Sequence, residues 1–257
     1  MVIPAEITST LDDKSGDGDV AAALLTKAAM EIAHASADNE SCLAVFVQGR
    51  ELFTETASRQ EKKWGKIGSF KRSKNANILA VQTKIVQLWR SDQSARGSYL
   101  ALRTKDKTGS AFWAHRLSIA NTFRADGNSK KYIETLLEDY DWIDKKRFGK
   151  DVSTHAWILV QHADHDAEFQ QSVLTKMEPY LETGGIRPAN YAFLWDRVAV
   201  NTGRKQRYGT QPTWECTDGK LTLQPMEDPE NVNKRRAAMN MTTVEKGLKK
   251  MARGVCR

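Results

Sequence analysis

Apolar residues recur every three or four positions through much of the chain, which is the spacing of one face of an amphipathic helix. In "NILAVQTKIVQLWRSDQSARGSYLALR", which begins at Asn77, Ile78, Ile85 and Trp89 fall on the same face. The spacing continues through "SAFWAHRLSIANTFR", "SKKYIETLLEDYDW", "THAWILVQHA", "AEFQQSVLTKMEPYLETGG" and "PANYAFLWDRVAVNTG". The pattern therefore predicts a succession of helices that ends near Gly203, where a C-terminal cap belongs.

The first 74 residues carry a weaker pattern. After a polar stretch to about Asp19, "DVAAALLTKAAMEIAHASA" predicts one helix. "SCLAVFVQGRELF" fits either a short strand or a buried helical turn, and the basic segment from Arg59 to Lys74 is typical of a loop or linker. We therefore predict an N-terminal appendage with a basic linker, residues 1–74, followed by a helical main domain, residues 75–257.

Beyond Gly203 the chain becomes rich in turn-forming residues. Asp218-Gly219 is a hairpin signal between short apolar runs. "DPENVNKRRAAM" then opens a helix with proline in its first turn, and "TTVEKGLKKM" begins another. The predicted fold class is mainly α: a multi-helical single main domain with a small β-hairpin near the C-terminus.

Composition limits the protein classes that fit. Hydrophobic residues make up 40% of the chain and charged residues 28%, an ordinary globular balance. No apolar run approaches the roughly 20 residues of a membrane span, and the N-terminal sequence lacks the pattern of a signal peptide. Cys42, Cys216 and Cys256 form neither a CxxC pair nor a disulfide framework, which fits a reducing compartment. These features predict a cytoplasmic protein without a thiol zinc site.

Basic residues give a formal net charge of +7. They concentrate between Arg59 and Lys74 and in the tail "EKGLKKMARGVCR". Such segments can meet phosphates or acidic partners, but we favour the simpler explanation of a solvated basic surface. Since no nucleic-acid motif accompanies the charge, we do not expect nucleic-acid binding. An acidic protein partner on the basic N-terminal third stays open.

The stretch "QHADHD", residues 161–166, carries the densest chemistry. His162 could act as an acid or base beside Asp164, and continuation of the helix would align it with Asp166. Asp166 is better explained as the cap of the next helix, and His165 is expected to face solvent. Metal binding is the weaker interpretation because the HExxH pattern is absent.

Two further clusters are open to a structural and a functional interpretation. Asp196 and Arg197 are adjacent in an apolar helix, where they could form a salt bridge between helices or grip an anion. The loop "QRYGTQ", residues 206–211, offers Tyr208 as an acid or base and Arg207 for an anion, or is simply a surface turn. In "MEDPENVNKRR", capping of a helix explains Asp228.

From about Asp92 to Met251 the sequence resembles an uncharacterised bacterial family, a domain of unknown function. The signatures are a "SDQSAR" helix, "WILVQHADHDAEFQ", "DRV", "QRYGTQ" and "EDPENVNKRR". The resemblance implies a site built from polar signature positions: His162, Asp164 and Tyr208 for chemistry, and Asp92, Gln93, Arg96, Arg197, Gln206, Thr210 and Gln211 for substrate binding. It supplies no reaction.

Two hypotheses follow. In the first, these residues form one pocket of an enzyme that hydrolyses a small anionic metabolite or performs an elimination on it, as in a biosynthetic tailoring step. No organic cofactor is expected, since no dinucleotide or P-loop fingerprint is present, and no metal is required. In the second, the protein is a non-catalytic binding, immunity or complex-forming module whose polar clusters fix helix packing.

Overall fold

The computed structural model describes residues 39–105 and 109–256, with side chains from residue 44 onward. The helix predicted from Asp19 lies outside these residues. About 70% of the structure is helical. The elements in chain order are helices α1 (Asn39–Gly65), α2 (Ala76–Leu102), α3 (Gly109–Asp139), α4 (Lys145–Phe148), α5 (Lys150–His162), α6 (Ala167–Met177), α7 (Pro179–Glu182) and α8 (Pro188–Asn201), strands β1 (Pro212–Thr217) and β2 (Lys220–Leu223), a 3-10 turn (Pro229–Asn231), and helices α9 (Val232–Ala238) and α10 (Val244–Val255).

The chain divides into two compact units, Met1–Thr135 and Leu136–Arg257. The division at residue 74 that the sequence indicated stays a prediction. The predicted mainly helical fold with a C-terminal hairpin is confirmed. None of the helices in the described ranges is both long and apolar enough to cross a membrane.

In the first unit, α1 lies along α2. Trp64 of α1 contacts Trp89 of α2 edge-on at a ring-centroid distance of 5.7 Å, and Phe46 packs edge-on against Trp113 of α3 at 5.4 Å. "SCLAVFVQGRELF" is therefore helical, which settles the alternative that its periodicity left open. The prediction of a loop from Arg59 is wrong as far as Gly65, because packing of Trp64 carries the helix on to that residue.

In the second unit, α8 packs on α6 and α5. Leu159, Val173 and Leu194 are buried between these three helices. Asp166 accepts a hydrogen bond from the backbone N–H of Phe169 and caps α6, as predicted. Gly203 follows α8 with a positive φ of 72°, the left-handed conformation that ends many helices.

The hairpin and the last helix complete the second unit. Strands β1 and β2 pair antiparallel, with Thr217 opposite Lys220. The predicted turn residues Asp218 and Gly219 have φ values of 51° and 72°, as a tight two-residue turn requires. Helix α10 packs on β2.

The prediction that the cysteines form no disulfide is wrong. Cys216 of β1 and Cys256, the residue after α10, are bonded, with their Cα atoms 5.6 Å apart. The two cysteines are 40 positions apart in the sequence, and only the packing of α10 on the hairpin brings them together. A spacing motif could not have indicated this pair.

Candidate functional site

Three of the predicted site residues, Asp92, Gln93 and Arg96, form a hydrogen-bonded cluster in the first unit. Arg96 Nε donates to Asp92 Oδ1 at 3.1 Å, and its Nη2 donates to Asp126 Oδ1 at 2.7 Å. Gln93 Nε2 donates to the other oxygen of Asp92 at 2.7 Å. Both carboxylates are buried. One guanidinium thus bridges two acids on α2 and α3.

This bridge changes the interpretation of Arg96. Two of its nitrogens are paired with buried carboxylates, and removing the guanidinium would deprive both acids of this counter-charge. The geometry favours a structural role over the predicted contact with an anion. Sequence reasoning missed Asp126, because nothing in the surrounding residues "FRADGN" distinguishes a buried acid from an exposed one.

Asp164 is the centre of a second cluster, in the turn between α5 and α6. Arg197 Nη1 of α8 donates to Asp164 Oδ2 at 2.5 Å. Gln170 Nε2 and Asn201 Nδ2 approach Asp164 Oδ1 at 3.4 and 3.3 Å. Partial burial raises the pKa of Asp164, but the Arg197 charge and the three side-chain donors outweigh it and hold that pKa below its usual value. Asp164 is therefore an ionised anchor for Arg197 and a weak base.

His162 is the last residue of α5 and is half-buried. The prediction that Asp164 orients His162 is not what the structure shows, since the hydrogen-bond partners of Asp164 among the described residues are Arg197, Gln170 and Asn201. His165, expected to face solvent, is only partly exposed.

The Arg197 side chain is less exposed to solvent than that of its partner Asp164. It is 22% exposed, against 45% for Asp164. Its Nε is buried and has no acceptor among the described residues. A buried N–H without a partner costs about 1–3 kcal/mol, so this guanidinium has donor capacity left for a ligand oxygen.

The loop of residues 206–211 is fixed from beneath by Asp196. This fully buried carboxylate accepts hydrogen bonds from the backbone N–H groups of Arg207 at 2.7 Å and of Tyr208 and Thr210 at 2.9 Å. Burial raises the pKa of Asp196, and the backbone donors oppose that shift in part. Asp196 and Arg197 therefore have different roles. Asp196 holds the loop of residues 206–211, and Arg197 forms the interhelical salt bridge with Asp164.

The glutamines of this loop also brace it. Gln206 Nε2 donates to the carbonyls of Gln211 and Gln224 at 2.9 and 2.7 Å, and its Oε1 accepts from the Gln211 N–H at 2.9 Å. Gln211 Nε2 donates to Thr210 Oγ1 at 3.1 Å. All of these side chains are buried. For Gln206, Thr210 and Gln211, the geometry favours support of the loop over the predicted contact with a substrate.

Two arginines that sequence reasoning did not place in the site also hold the loop of residues 206–211. Arg236, which is buried, donates to the carbonyls of Tyr208 at 2.6 Å and Thr242 at 2.6 Å. Arg235 donates to the carbonyl of Arg207 at 2.8 Å and to the Asp228 carboxylate at 3.1 Å. The only available signal was the pair of arginines in "NKRR".

Asp228 does not cap the following helix through its side chain, contrary to the prediction. Its carboxylate instead accepts from the Asn231 side-chain amide at 2.9 Å and from Arg235. The reason lies in the backbone, which adopts a positive φ of 38° at Asp228, outside the extended conformation usual for a capping residue.

Tyr208 is buried at the tip of the loop, and its ring meets Trp195 edge-on at 6.1 Å. Burial raises the pKa of its phenol. Burial likewise raises the pKa of Tyr191 to about 12, with a further contribution from Glu178. Tyr208 is therefore protonated at neutral pH and suits the role of hydrogen-bond donor or acid, not that of a base.

Replacement of Asp164 by asparagine is expected to weaken the protein at neutral pH only. The pKa of Asp164 is lower in the folded protein than the usual 3.8, so its stabilising effect is complete above the unfolded-state pKa and is lost as pH falls through the folded-state pKa. Because this carboxylate is half-exposed, we expect a difference below about 1 kcal/mol. Urea unfolding of both proteins at neutral and strongly acidic pH measures it. A difference that persists in acid would contradict this assignment.

Comparison with known proteins places most of these clusters in one family. A family model described as a family of unknown function, DUF6624, matches residues 107–254, more than half of the chain. The match contains His162, Asp164, Arg197 and the loop of residues 206–211, and it begins after Asp92, Gln93 and Arg96. Neither a curated protein nor a solved structure matches the chain.

Proposed function

Because the chain belongs to the family of unknown function DUF6624, we propose an activity from its own geometry: cofactor-independent acid–base chemistry on a small anionic metabolite. The reaction class is hydrolysis or elimination, as in a biosynthetic tailoring step. The observation that carries this proposal is the half-buried Arg197, which is anchored by Asp164 and keeps a buried Nε for which the described part of the chain offers no acceptor.

Arg197 is the proposed anion-binding group. A guanidinium can engage a carboxylate, phosphate or sulfate through two parallel N–H bonds. Asp164 occupies Nη1 and fixes the orientation of the side chain, while Gln170 and Asn201 hold Asp164 in turn. The ligand would therefore meet a guanidinium already held in one position, which lowers the ordering cost of binding.

His162 is the proposed acid–base group. An imidazole can accept a proton at one ring nitrogen and donate one from the other, which suits it to acid–base catalysis. The other two predicted catalytic residues are poorly suited to act as the base, since Asp164 is a weak base and Tyr208 stays protonated. Tyr208, held by the braced loop, would donate a hydrogen bond or a proton to the substrate.

The test is turnover of anionic metabolites by the full-length protein and its variants. Incubation with a panel of carboxylates, phosphate esters and sulfate esters, followed by NMR, should reveal one class that is consumed. His162→Gln should then lower kcat by about 100-fold at an unchanged melting temperature. Arg197→Lys should raise KM, because lysine cannot form the bidentate contact.

Arg204→Lys is the matched control, since Arg204 is exposed, lies after the end of α8 and takes no part in the Asp164 ion pair. It should leave kcat and KM unchanged. Turnover that survives His162→Gln, or a loss that Arg204→Lys reproduces, would refute the proposed site.

One observation favours a second candidate, a non-catalytic binding or complex-forming module. Asp196, Gln206 and Arg236 all bond to backbone groups, so much of the polar signature serves the fold. Under this alternative, His162→Gln would lower the melting temperature by several degrees, and no anion would be consumed. An acidic protein on the basic N-terminal third is the partner we propose for it.

The cytoplasmic location stays a prediction, and the Cys216–Cys256 disulfide favours an oxidising compartment over it. Cytosolic thiols are normally kept reduced, whereas disulfides persist in oxidising compartments. Alkylation of free thiols in freshly lysed cells, before and after reduction, distinguishes the two locations.

A further inference from the structure

A groove of about 610 Å³ runs between the hairpin and α10. Leu221 of β2 and Leu248 and Ala252 of α10 form its apolar floor, and Lys220, Lys249 and Arg253 stand along it. This volume falls in the range of small-molecule sites, which are mostly apolar with a few placed charges. None of these residues belongs to the site around Arg197.

The sequence of α10 builds this groove directly. Leu248 and Ala252 are four positions apart and face the hairpin together. Lys249 and Arg253 repeat the same spacing one position later, so their cationic stripe borders the apolar one. The helix therefore presents apolar and positive surfaces side by side.

The far end of the groove is covalently fixed. Cys256 lines it and is bonded to Cys216 of β1. The disulfide ties the end of α10 to the hairpin and fixes the spacing between the two walls at that end. A preformed cleft of this kind loses little freedom when a ligand enters.

We propose that this groove binds an amphiphilic anion, an alkyl chain that ends in a carboxylate. The apolar floor would take the chain, and the cationic stripe would take the head group. Charge complementarity favours an anion, because the described lining of the groove has three cations and one acid, Glu245. Glu245 is moreover turned toward Asn233, whose side-chain amide lies 3.4 Å from both of its oxygens.

Calorimetric titration of the oxidised full-length protein with octanoate and decanoate, below micelle concentrations, tests the apolar floor. Each buried methylene should tighten binding about fourfold, so decanoate should bind at least tenfold more tightly than octanoate. Decanol, which has the chain without the charge, should bind markedly more weakly than decanoate. Equal affinity for octanoate and decanoate would overturn the proposal.

Charge reversal on α10 tests the cationic stripe. Lys249→Glu should weaken decanoate binding about fivefold, while Lys250→Glu, an exposed neighbour that does not line the groove, should leave it unchanged. Circular dichroism confirms that both variants fold. Equal effects of the two variants would overturn the proposal, and so would tighter binding of a hexaglutamate peptide, which would indicate recognition of acidic polypeptides instead. Turnover by the Arg197 site should be unchanged in both variants, because neither residue belongs to that site, so the two proposals can fail separately.

Discussion

Replacement of Asp196 by alanine is expected to lower the free energy of unfolding by about 3–5 kcal/mol. The change removes a buried carboxylate that accepts backbone N–H bonds from Arg207, Tyr208 and Thr210. The amides of Tyr208 and Thr210 would then be buried without a partner, at a cost of about 1–3 kcal/mol each. Asp196→Asn should lose less, because its carboxamide oxygen still accepts hydrogen bonds. Urea unfolding followed by circular dichroism measures both values.

The loss should be local in origin. Hydrogen exchange of the Tyr208 and Thr210 amides should accelerate in Asp196→Ala before the exchange of the buried α5 and α6 amides changes. Glu182→Ala is the control, since it removes an exposed carboxylate of the same unit and should stay within about 0.5 kcal/mol of the wild type. If Asp196→Ala lost no more than this control and kept the two amides protected, the loop would not depend on Asp196.

The helices and the hairpin could be predicted because their causes are local. Amphipathic spacing repeats within one turn, the Asp166 cap acts three residues away, and the Asp218-Gly219 turn needs only its own backbone preferences. The predicted loop from Arg59 failed for the opposite reason. Trp64 continues α1 because it meets Trp89, and that contact is not visible in the sequence around it.

The roles of the polar residues were not predictable in the same way. Asp196 and Arg197 are adjacent in sequence, yet one bonds to a loop 11 to 14 positions ahead and the other to an aspartate 33 positions behind. Arg236 reaches the Tyr208 carbonyl across 28 positions. Which side chain finds which partner depends on helix packing, so sequence could identify the polar residues but could not separate those that support the loop from those that face a ligand.

Distinguishing the residues that support the loop from those that face a ligand leaves fewer candidates for the proposed site. Gln206, Thr210 and Gln211 have their hydrogen-bonding groups engaged within the loop, which reduces the candidates for ligand contact in the second unit to His162, Arg197 and Tyr208. A braced loop and an anchored arginine suit a site that must keep its geometry, because misplacement by about 1 Å can cost a hundredfold in rate. The residues that support the loop would therefore keep the ligand-contacting residues in place.

Removal of the Cys216–Cys256 disulfide is expected to lower the free energy of unfolding by about 4 kcal/mol. In the chain-entropy description, the stabilisation grows with the number of residues closed into the loop, and a separation of 40 residues corresponds to about that value. The Cys216→Ser/Cys256→Ser variant should show the loss in urea unfolding without a reductant. Wild-type protein treated with a phosphine reductant should lose the same amount.

The effect should be concentrated in the C-terminal segment, because the bond joins the end of α10 to β1. Amides of α10 should exchange faster in the double variant, while those of α5 and α6 keep their protection. Lys250→Ala is the matched control: it changes an exposed position of α10 but leaves the bond, so it should retain both the stability and the sensitivity to the reductant. A double variant as stable as Lys250→Ala, with wild-type protein indifferent to the reductant, would show that packing of α10 on the hairpin suffices without the bond.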